Sequence, residues 1–372
     1  MDSRSKQITA SGRIPELDGL RGIAVLLIIS FHYINNQLTH AQLFVGKLLS
    51  QLTSFGWVGV DLFFVLSGFL IGNILIRNKS SKNFFSTFYV RRVVRIIPNY
   101  YLLILIFLLL RGIPYFLNNY FLTGANVIPW WSYFLMFHNF YMARMHSLGN
   151  DAMSVTWSIG IEEQFYIIFP FIVYFIKDRW LLVVLISAII IAPFVRMQYN
   201  HWIPQYVLLP CRMDSIAFGI LVAWLDRHYS IPVIVKKRIV ILSTLIIVDC
   251  LICAYLFYRY SDLGVFKNTL FAFFFAGCLV LALTYKDSLY GRFLRNRMLI
   301  WVGTISYSLY LFHYLILGIC QYLINHYGGL LLNSARDVLV TIFAFCLSLL
   351  FAWIVYRKLE KPFVLLGKKF AF

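Results

Sequence analysis

Acidic residues are scarce in this chain. Asp and Glu together number 15 among 372 residues, and charged residues of both signs make up only 13%, against ~25% in an ordinary soluble domain. With 61% of residues apolar, too little polar surface is available to cover a water-soluble globule. Cysteine is also sparse: Cys211, Cys250, Cys253, Cys278, Cys320 and Cys346 are the six, and all fall within apolar runs. That distribution excludes a disulfide-stapled fold. The Cys250-x-x-Cys253 spacing matches a redox motif formally, but its apolar surroundings favour simple packing. No short-period repeat, long linker or appended soluble domain is evident. The basic leader runs into an apolar stretch without a small-residue cleavage site, so it reads as a retained first span and not a removable signal. One transmembrane unit over 1–372 is the expected organisation.

Basic residues, in contrast, are abundant. Lys and Arg number 33, for a net charge of +18, which in a soluble chain would suggest a nucleic-acid partner. Here they sit between apolar runs of about 20 residues, the length that crosses a bilayer core, so nucleic acid is not needed to explain them. Ten such runs lie near 20–38, 57–76, 93–110, 157–176, 180–195, 206–225, 239–257, 268–285, 299–325 and 337–356. With ten spans and a cytoplasmic N-terminus, 24 of the 33 basic residues fall on the inner side and seven on the outer, as the positive-inside rule requires. An eleventh span at Trp130 to Tyr141 would move later clusters outside, so that segment reads as a half-helix or interfacial piece. The expected fold is an all-α polytopic bundle of about ten transmembrane helices with both termini cytoplasmic, a multi-pass protein of a cell membrane such as the bacterial inner membrane.

Ionisable residues inside spans cost about 2.5–3.5 kcal/mol each on insertion scales and call for a function or a partner. In the first span Arg21 and His32 lie eleven residues apart, which is about 20° from one face and about 16 Å of rise. Asp18 lies one turn before Arg21. The plainer alternative is a snorkelling arginine and a hydrogen-bonded core histidine. Arg91, Arg92 and Arg95 cluster where a span begins, an arrangement suited to a phosphorylated ligand, although topology and anionic headgroups also explain such clusters. Arg92 and Arg95, at the mouth of the helix, favour the ligand. In the fourth span Glu162 and Glu163 are expected about 8–9 Å below the outer end, with Ser158, Glu162 and Tyr166 on one face. Adjacent carboxylates require a wet cavity or nearby cations. Arg212 and Asp214 in span six fit either acceptor binding or a structural ion pair. Ser306, Tyr310 and His313 share a face in span nine, and His313 fits either a cavity or a core hydrogen bond. Asp61 and Asp249 have no evident partner in the sequence.

These depths suggest a reaction across the membrane: cations at the inner mouth, a histidine in the middle and carboxylates toward the outside. Such an order suits an anionic donor held from the cytoplasm and a hydroxyl acceptor entering from outside, with a near-neutral base between them. The Trp130-Trp131 pair suits a membrane interface, or stacking on a sugar.

Several motifs in this order resemble the membrane-bound acyltransferase-3 family across nearly the whole chain: Glu16-Leu-Asp18-Gly-Leu-Arg21 with Arg21-x10-His32; Gly59-Val-Asp61 to Ser67-Gly68; Arg92-x-x-Arg95; Trp157-Ser158-x3-Glu162-Glu163; Arg212-x-Asp214-x4-Gly219; and Ser306 to His313. The resemblance implies acetyl-CoA or a related acyl-CoA as donor, a glycan hydroxyl as acceptor, and no metal. Lipopolysaccharide O-antigen is the expected glycan; peptidoglycan, a secreted metabolite or a protein are alternatives. On this reading His32 and Glu162 are catalytic, and Arg21, Arg92, Arg95 and Tyr310 hold the donor. Asp18, Trp157, Glu163, Arg212, Asp214, Ser306 and His313 contact the acceptor. A chain that stops at Phe372 suggests the stand-alone type. The competing class is a transporter or flippase for a lipid-linked sugar, which commonly shows a duplicated architecture.

Overall fold

The computed structural model describes residues 14–38, 44–113, 128–260, 264–325, 332 and 334–372, with only part of the side chains given between 234 and 260. The described residues form helices and their connections, with no strand. α1 (Pro15–Ser30) starts on a proline, whose missing N–H costs nothing in a first turn. It continues into a π-helical turn, Phe31–Asn35. A short amphipathic α2 (Phe44–Thr53) leads into α3 (Gly59–Asn78), then α4 (Phe84–Arg111).

Two short helices, α5 (Trp130–Phe134) and α6 (His138–Met145), occupy the segment read as a half-helix or interfacial piece and not an eleventh span. Met136 between them has φ 58, a left-handed turn that ends one helix before it can reach a spanning length. α7 (Asp151–Ser154) leads into α8 (Trp157–Phe175), which is followed by α9 (Asp178–Met197), the short α10 (Trp202–Val207), α11 (Leu209–Tyr229) and α12 (Ile231–Tyr260), the last kinked at Arg238. α13 (Lys267–Thr284), the short α14 (Leu289–Leu294) and α15 (Arg297–Thr304), α16 (Ser306–Asn325), α17 (Ala335–Val355) and α18 (Lys361–Gly367) complete the chain.

Among the described residues nine helical segments are long and apolar enough to cross a membrane. They coincide with nine of the ten expected spans; the tenth, 239–257, lies within α12. The redox-like pair Cys250 and Cys253 has side chains outside the described residues. The run expected at 299–325 is two helices, broken at Ile305. Gly303 lies directly against the backbone of α1 at the Asp18 carbonyl, so α15 is pinned sideways before α16 begins.

Lipid tails give helices no hydrophobic reason to associate, so close backbone packing has to do that work. Glycines provide it. Gly19 and Gly22 of α1 lie against the Leu294 and Leu299 carbonyls, and Gly68 of α3 and Gly219 of α11 face the Ile216 and Val65 carbonyls. A β-carbon at any of these positions would overlap main chain.

The ends of the bundle are recognisable from their ties. Lys79 Nζ donates to the Ile176 carbonyl (2.5 Å), Arg91 Nε donates to the Phe370 carbonyl (3.0 Å), and Arg295 lies 3.7 Å from Glu16. Gly56 and Gly59, before and at the start of α3, lie against the Leu27 and Ala24 carbonyls, so α3 runs antiparallel to α1, and α4 follows α3 directly. The start of α1 and α4, the finish of α3 and α8, and the C-terminal segment therefore share one end, here called the basic end.

Candidate active site

Two cavities open into this bundle. The first reaches inward from the basic end, with about 950 Å³ of empty space that is continuous with the exterior. Its polar lining includes Arg21 from α1, Arg92 and Arg95 from α4, Glu162 from α8, and Ser306 and Tyr310 from α16; α3 supplies a wall from Val60 to Ile74 that is apolar except for Ser67. Fourteen residues of helix separate those two positions, about 21 Å at 1.5 Å per residue. The second cavity, about 1180 Å³, lies toward the opposite end and is lined by His32, Asp151, Trp157, Trp202, Tyr206 and Lys267, among others. Val60 and Tyr310 line both cavities. They form the wall at which the two meet.

Tyr310 is fixed in that wall. Its hydroxyl donates to the Val155 carbonyl (2.7 Å) and shares a 2.7 Å hydrogen bond with Ser158 Oγ. His32 stands beside it in the π-turn of α1. Such turns widen the helix by one residue and recur at functional positions, and here the turn presents the imidazole to the second cavity. The ring stacks on Tyr314 with centroids 4.4 Å apart, and its Nδ1 lies 2.8 Å from His313 Nε2.

The cationic side of the first cavity is built by α4. Arg91 is tied to the Phe370 carbonyl, whereas Arg92 lies over the rings of Phe88 and Tyr166, each 5.8 Å from its guanidinium carbon. Arg92 Nε and Ser306 Oγ are buried without a hydrogen-bond partner. Glu162 accepts from the Tyr166 hydroxyl (3.1 Å), which also pairs with Ser67 Oγ at 2.8 Å. The charges of Arg95 and Arg21 act on Glu162, and that of Arg92 acts on Glu163.

The structure thus brings Arg21, Arg92, Arg95, Glu162, Ser306 and Tyr310 to one cavity, and His32, Trp157 and Tyr310 to the other. Glu162 lies deeper than its position after Trp157 suggests, because the spanning segment already begins at Asp151. Eleven residues of rise place the carboxylate about 17 Å below that start. It consequently joins the arginines and not the acceptor side. Asp18, Glu163, Arg212, Asp214 and His313 line neither cavity. Asp18 lies 4.0 Å from Arg21. Arg212 pairs with Asp61 (2.8 Å), the acid left without a partner in the sequence reading, and lies over Phe64, Trp157 and Tyr206. Asp214 pairs with Arg196 (2.8 Å) and accepts from Thr269 Oγ1 at 2.5 Å. His313 stands behind His32.

Sequence reasoning missed Asp151 and Lys267. Both sit where a helix begins, outside the apolar runs in which a charge attracts notice. Ser67 and Tyr166 carried a signal, since each falls inside one of the motifs.

The chain is similar to several known proteins. O-acetyltransferase OatA of Staphylococcus aureus (strain NCTC 8325) is 27% identical over 96% of this chain and 58% of its own length. YrhL of Bacillus subtilis (strain 168), whose name assigns it provisionally to peptidoglycan O-acetylation, is 30% identical over 81% of this chain and 48% of its own. SACOL0978 of Staphylococcus aureus (strain COL), provisionally named an O-acetyltransferase, is 26% identical over 94% and 57%. The chain therefore spans about half to three-fifths of the length of these relatives. No solved structure matches it. Residues 14–357 match the acyltransferase domain Acyl_transf_3, and on that near-complete coverage the chain belongs to the acyltransferase-3 family.

Proposed function

We propose that this protein is a membrane O-acetyltransferase that takes an acetyl group from acyl-CoA at its basic, cytoplasmic end and passes it to a hydroxyl of a cell-surface glycan entering from the opposite end. The observation that carries this reading is the pair of cavities from opposite ends that meet at Tyr310 and Val60, with His32 in the lining of the second. A transporter would need a path that alternates between the two ends; an acyltransferase needs only that two substrates touch. The names of the relatives support acetyl as the group and favour peptidoglycan over lipopolysaccharide as the acceptor.

The first cavity suits an acyl-CoA. Its arginines meet phosphate charge, its unpartnered Arg92 Nε and Ser306 Oγ offer hydrogen bonds, and its apolar α3 wall has the length of an extended pantetheine arm. Glu162 offsets part of the positive charge of Arg21 and Arg95 in this cavity. From the second cavity, His32 accepts the proton of the acceptor hydroxyl as its oxygen bonds to the acyl carbon. The carbon–sulfur bond then breaks, and His32 returns the proton to the departing thiolate. Base catalysis of this kind is worth roughly 10²–10⁴-fold. The aromatic rings of Trp157, Trp202 and Tyr206 provide flat faces for a sugar.

The test is transfer of radiolabelled acetyl from acetyl-CoA by the purified protein to a panel of peptidoglycan fragments and lipopolysaccharide. Alkali-labile label on a glycan is expected, falling to background in His32→Ala while the variant still inserts. Normal transfer by His32→Ala would remove the histidine from the mechanism. Solute flux without acyl-CoA would make the protein a transporter.

A further inference from the structure

A general base is useful only if the correct nitrogen carries the lone pair, and an imidazole has two. The surroundings of His313 decide which. Its Nδ1 lies 2.7 Å from the Tyr310 carbonyl and 3.2 Å from the Leu309 carbonyl. Carbonyl oxygens only accept, so Nδ1 of His313 carries a hydrogen. The neutral ring then has its lone pair on Nε2, 2.8 Å from His32 Nδ1. For that contact to be a hydrogen bond, His32 must donate from Nδ1, which leaves the lone pair of neutral His32 on Nε2.

The rest of the neighbourhood holds this order in place. The Tyr33 hydroxyl donates to the His313 carbonyl (2.8 Å) and pairs with Ser348 Oγ at 2.8 Å, tying the π-turn of α1 to α16 and α17. His313 is fully buried, whereas His32 is partly exposed and lines the second cavity.

We propose that His313 is a positioning residue that locks His32 in the tautomer with Nδ1 protonated, so that Nε2 faces the acceptor cavity as the base. This deepens the acetyl-transfer reading and rests on His32 as the base. The chain from backbone carbonyl to His313 to His32 does with a neutral imidazole what a carboxylate does behind the histidine of a hydrolase triad: it selects the tautomer and orients the ring. When His32 takes the acceptor proton at Nε2, its Nδ1–H stays bonded to His313, and that bond gains strength from the new charge. His313 itself neither loses nor gains a proton. The pair accommodates one added proton, because a second, on His313 Nε2, would set two N–H groups against each other.

Two measurements test this. In protein labelled with 15N-histidine, with the His32 signals assigned by their loss in His32→Gln, wild type should show a protonated Nδ1 and a bare Nε2. The opposite tautomer would overturn the proposal. In steady-state kinetics, His313→Leu should lower kcat by on the order of 10²-fold while KM for acetyl-CoA stays within about twofold. His313→Gln, whose amide oxygen can still accept from His32 Nδ1, should recover much of that loss. Equal damage by Leu and Gln, or a full rate in His313→Leu, would exclude the positioning role. An active His32→Ala would instead defeat the underlying base assignment, so the two failures are distinguishable.

Discussion

Arg92 and Arg95 differ from Arg91 in what surrounds them. Arg91 directs its Nε and Nη2 donors to the Phe370 carbonyl at the C-terminal segment. Arg92 and Arg95 line the cavity, and Arg92 Nε has no partner. Charge-assisted hydrogen bonds are worth about 1.5–3 kcal/mol each, which corresponds to roughly a tenfold to hundredfold change in affinity. Arg92→Ala and Arg95→Ala should therefore each weaken acetyl-CoA binding by about tenfold or more, and the double variant should show a flatter dependence of affinity on salt. Titration calorimetry at low and high ionic strength measures both effects; unchanged affinity would remove the phosphates from this site. Lysine should rescue Arg92 poorly, since an ammonium group cannot stack flat against Phe88 and Tyr166. The choice of these two arginines over Arg91 was already legible from their place at the mouth of the span. The contact with the Tyr166 ring was not, because Tyr166 lies 74 positions further along the chain.

Among the elements, α3, α9, α11 and α13 are joined by buried charge. Arg212 and Asp61 are completely buried, and Arg196 with Asp214 nearly so; Ser215 and Thr269 supply further hydrogen bonds to the two carboxylates. Removing one member of such a pair strands the other, at about 3–5 kcal/mol. Arg212→Leu alone should lower the unfolding temperature of the detergent-solubilised protein sharply. Combining it with Asp61→Leu should restore most of the loss, and a thermal melt of the three variants decides it. If the double variant were as unstable as Arg212→Leu, the arginine would matter through its ring contacts with Phe64, Trp157 and Tyr206 instead. The same elements show how far sequence reading reaches. Apolar runs of about 20 residues locate the spans because backbone polar groups in lipid must be satisfied within a helix. The break at Ile305 and the π-turn at Phe31–Asn35 follow from contacts between helices distant in sequence. Spacing on an ideal helix therefore placed Arg21 and His32 on one stripe, while the fold gives each to a different cavity. The partner of Asp61 was equally hidden, 151 residues away.

For the molecule as a whole, charge asymmetry and cavity asymmetry coincide. The end where Lys79, Arg91, Arg295 and the C-terminal segment gather is also the end from which the arginine-lined cavity opens, and the cavity with His32, Asp151 and Lys267 opens toward the other. If charge alone set topology, the arginines would have no reason to point inward along a cavity wall. If a ligand alone set their positions, Lys79, Lys368 and Lys369 would have no reason to share that end. Both demands are met when the basic end faces the cytoplasm, the side from which the proposed acyl-CoA donor would come and on which the positive-inside rule puts lysine and arginine. Sidedness of the reaction then follows. In sealed vesicles with the basic end outward, external acetyl-CoA should acetylate an acceptor trapped inside. In vesicles of the opposite orientation, external acetyl-CoA should be inert until detergent opens the membrane. A single cysteine introduced at Lys368, read with an impermeant maleimide in a background lacking the native cysteines, reports the orientation of each preparation independently of activity. Transfer from external acetyl-CoA to an external acceptor in sealed vesicles would place both substrates at one end, and the two cavities would then no longer be the routes by which donor and acceptor meet.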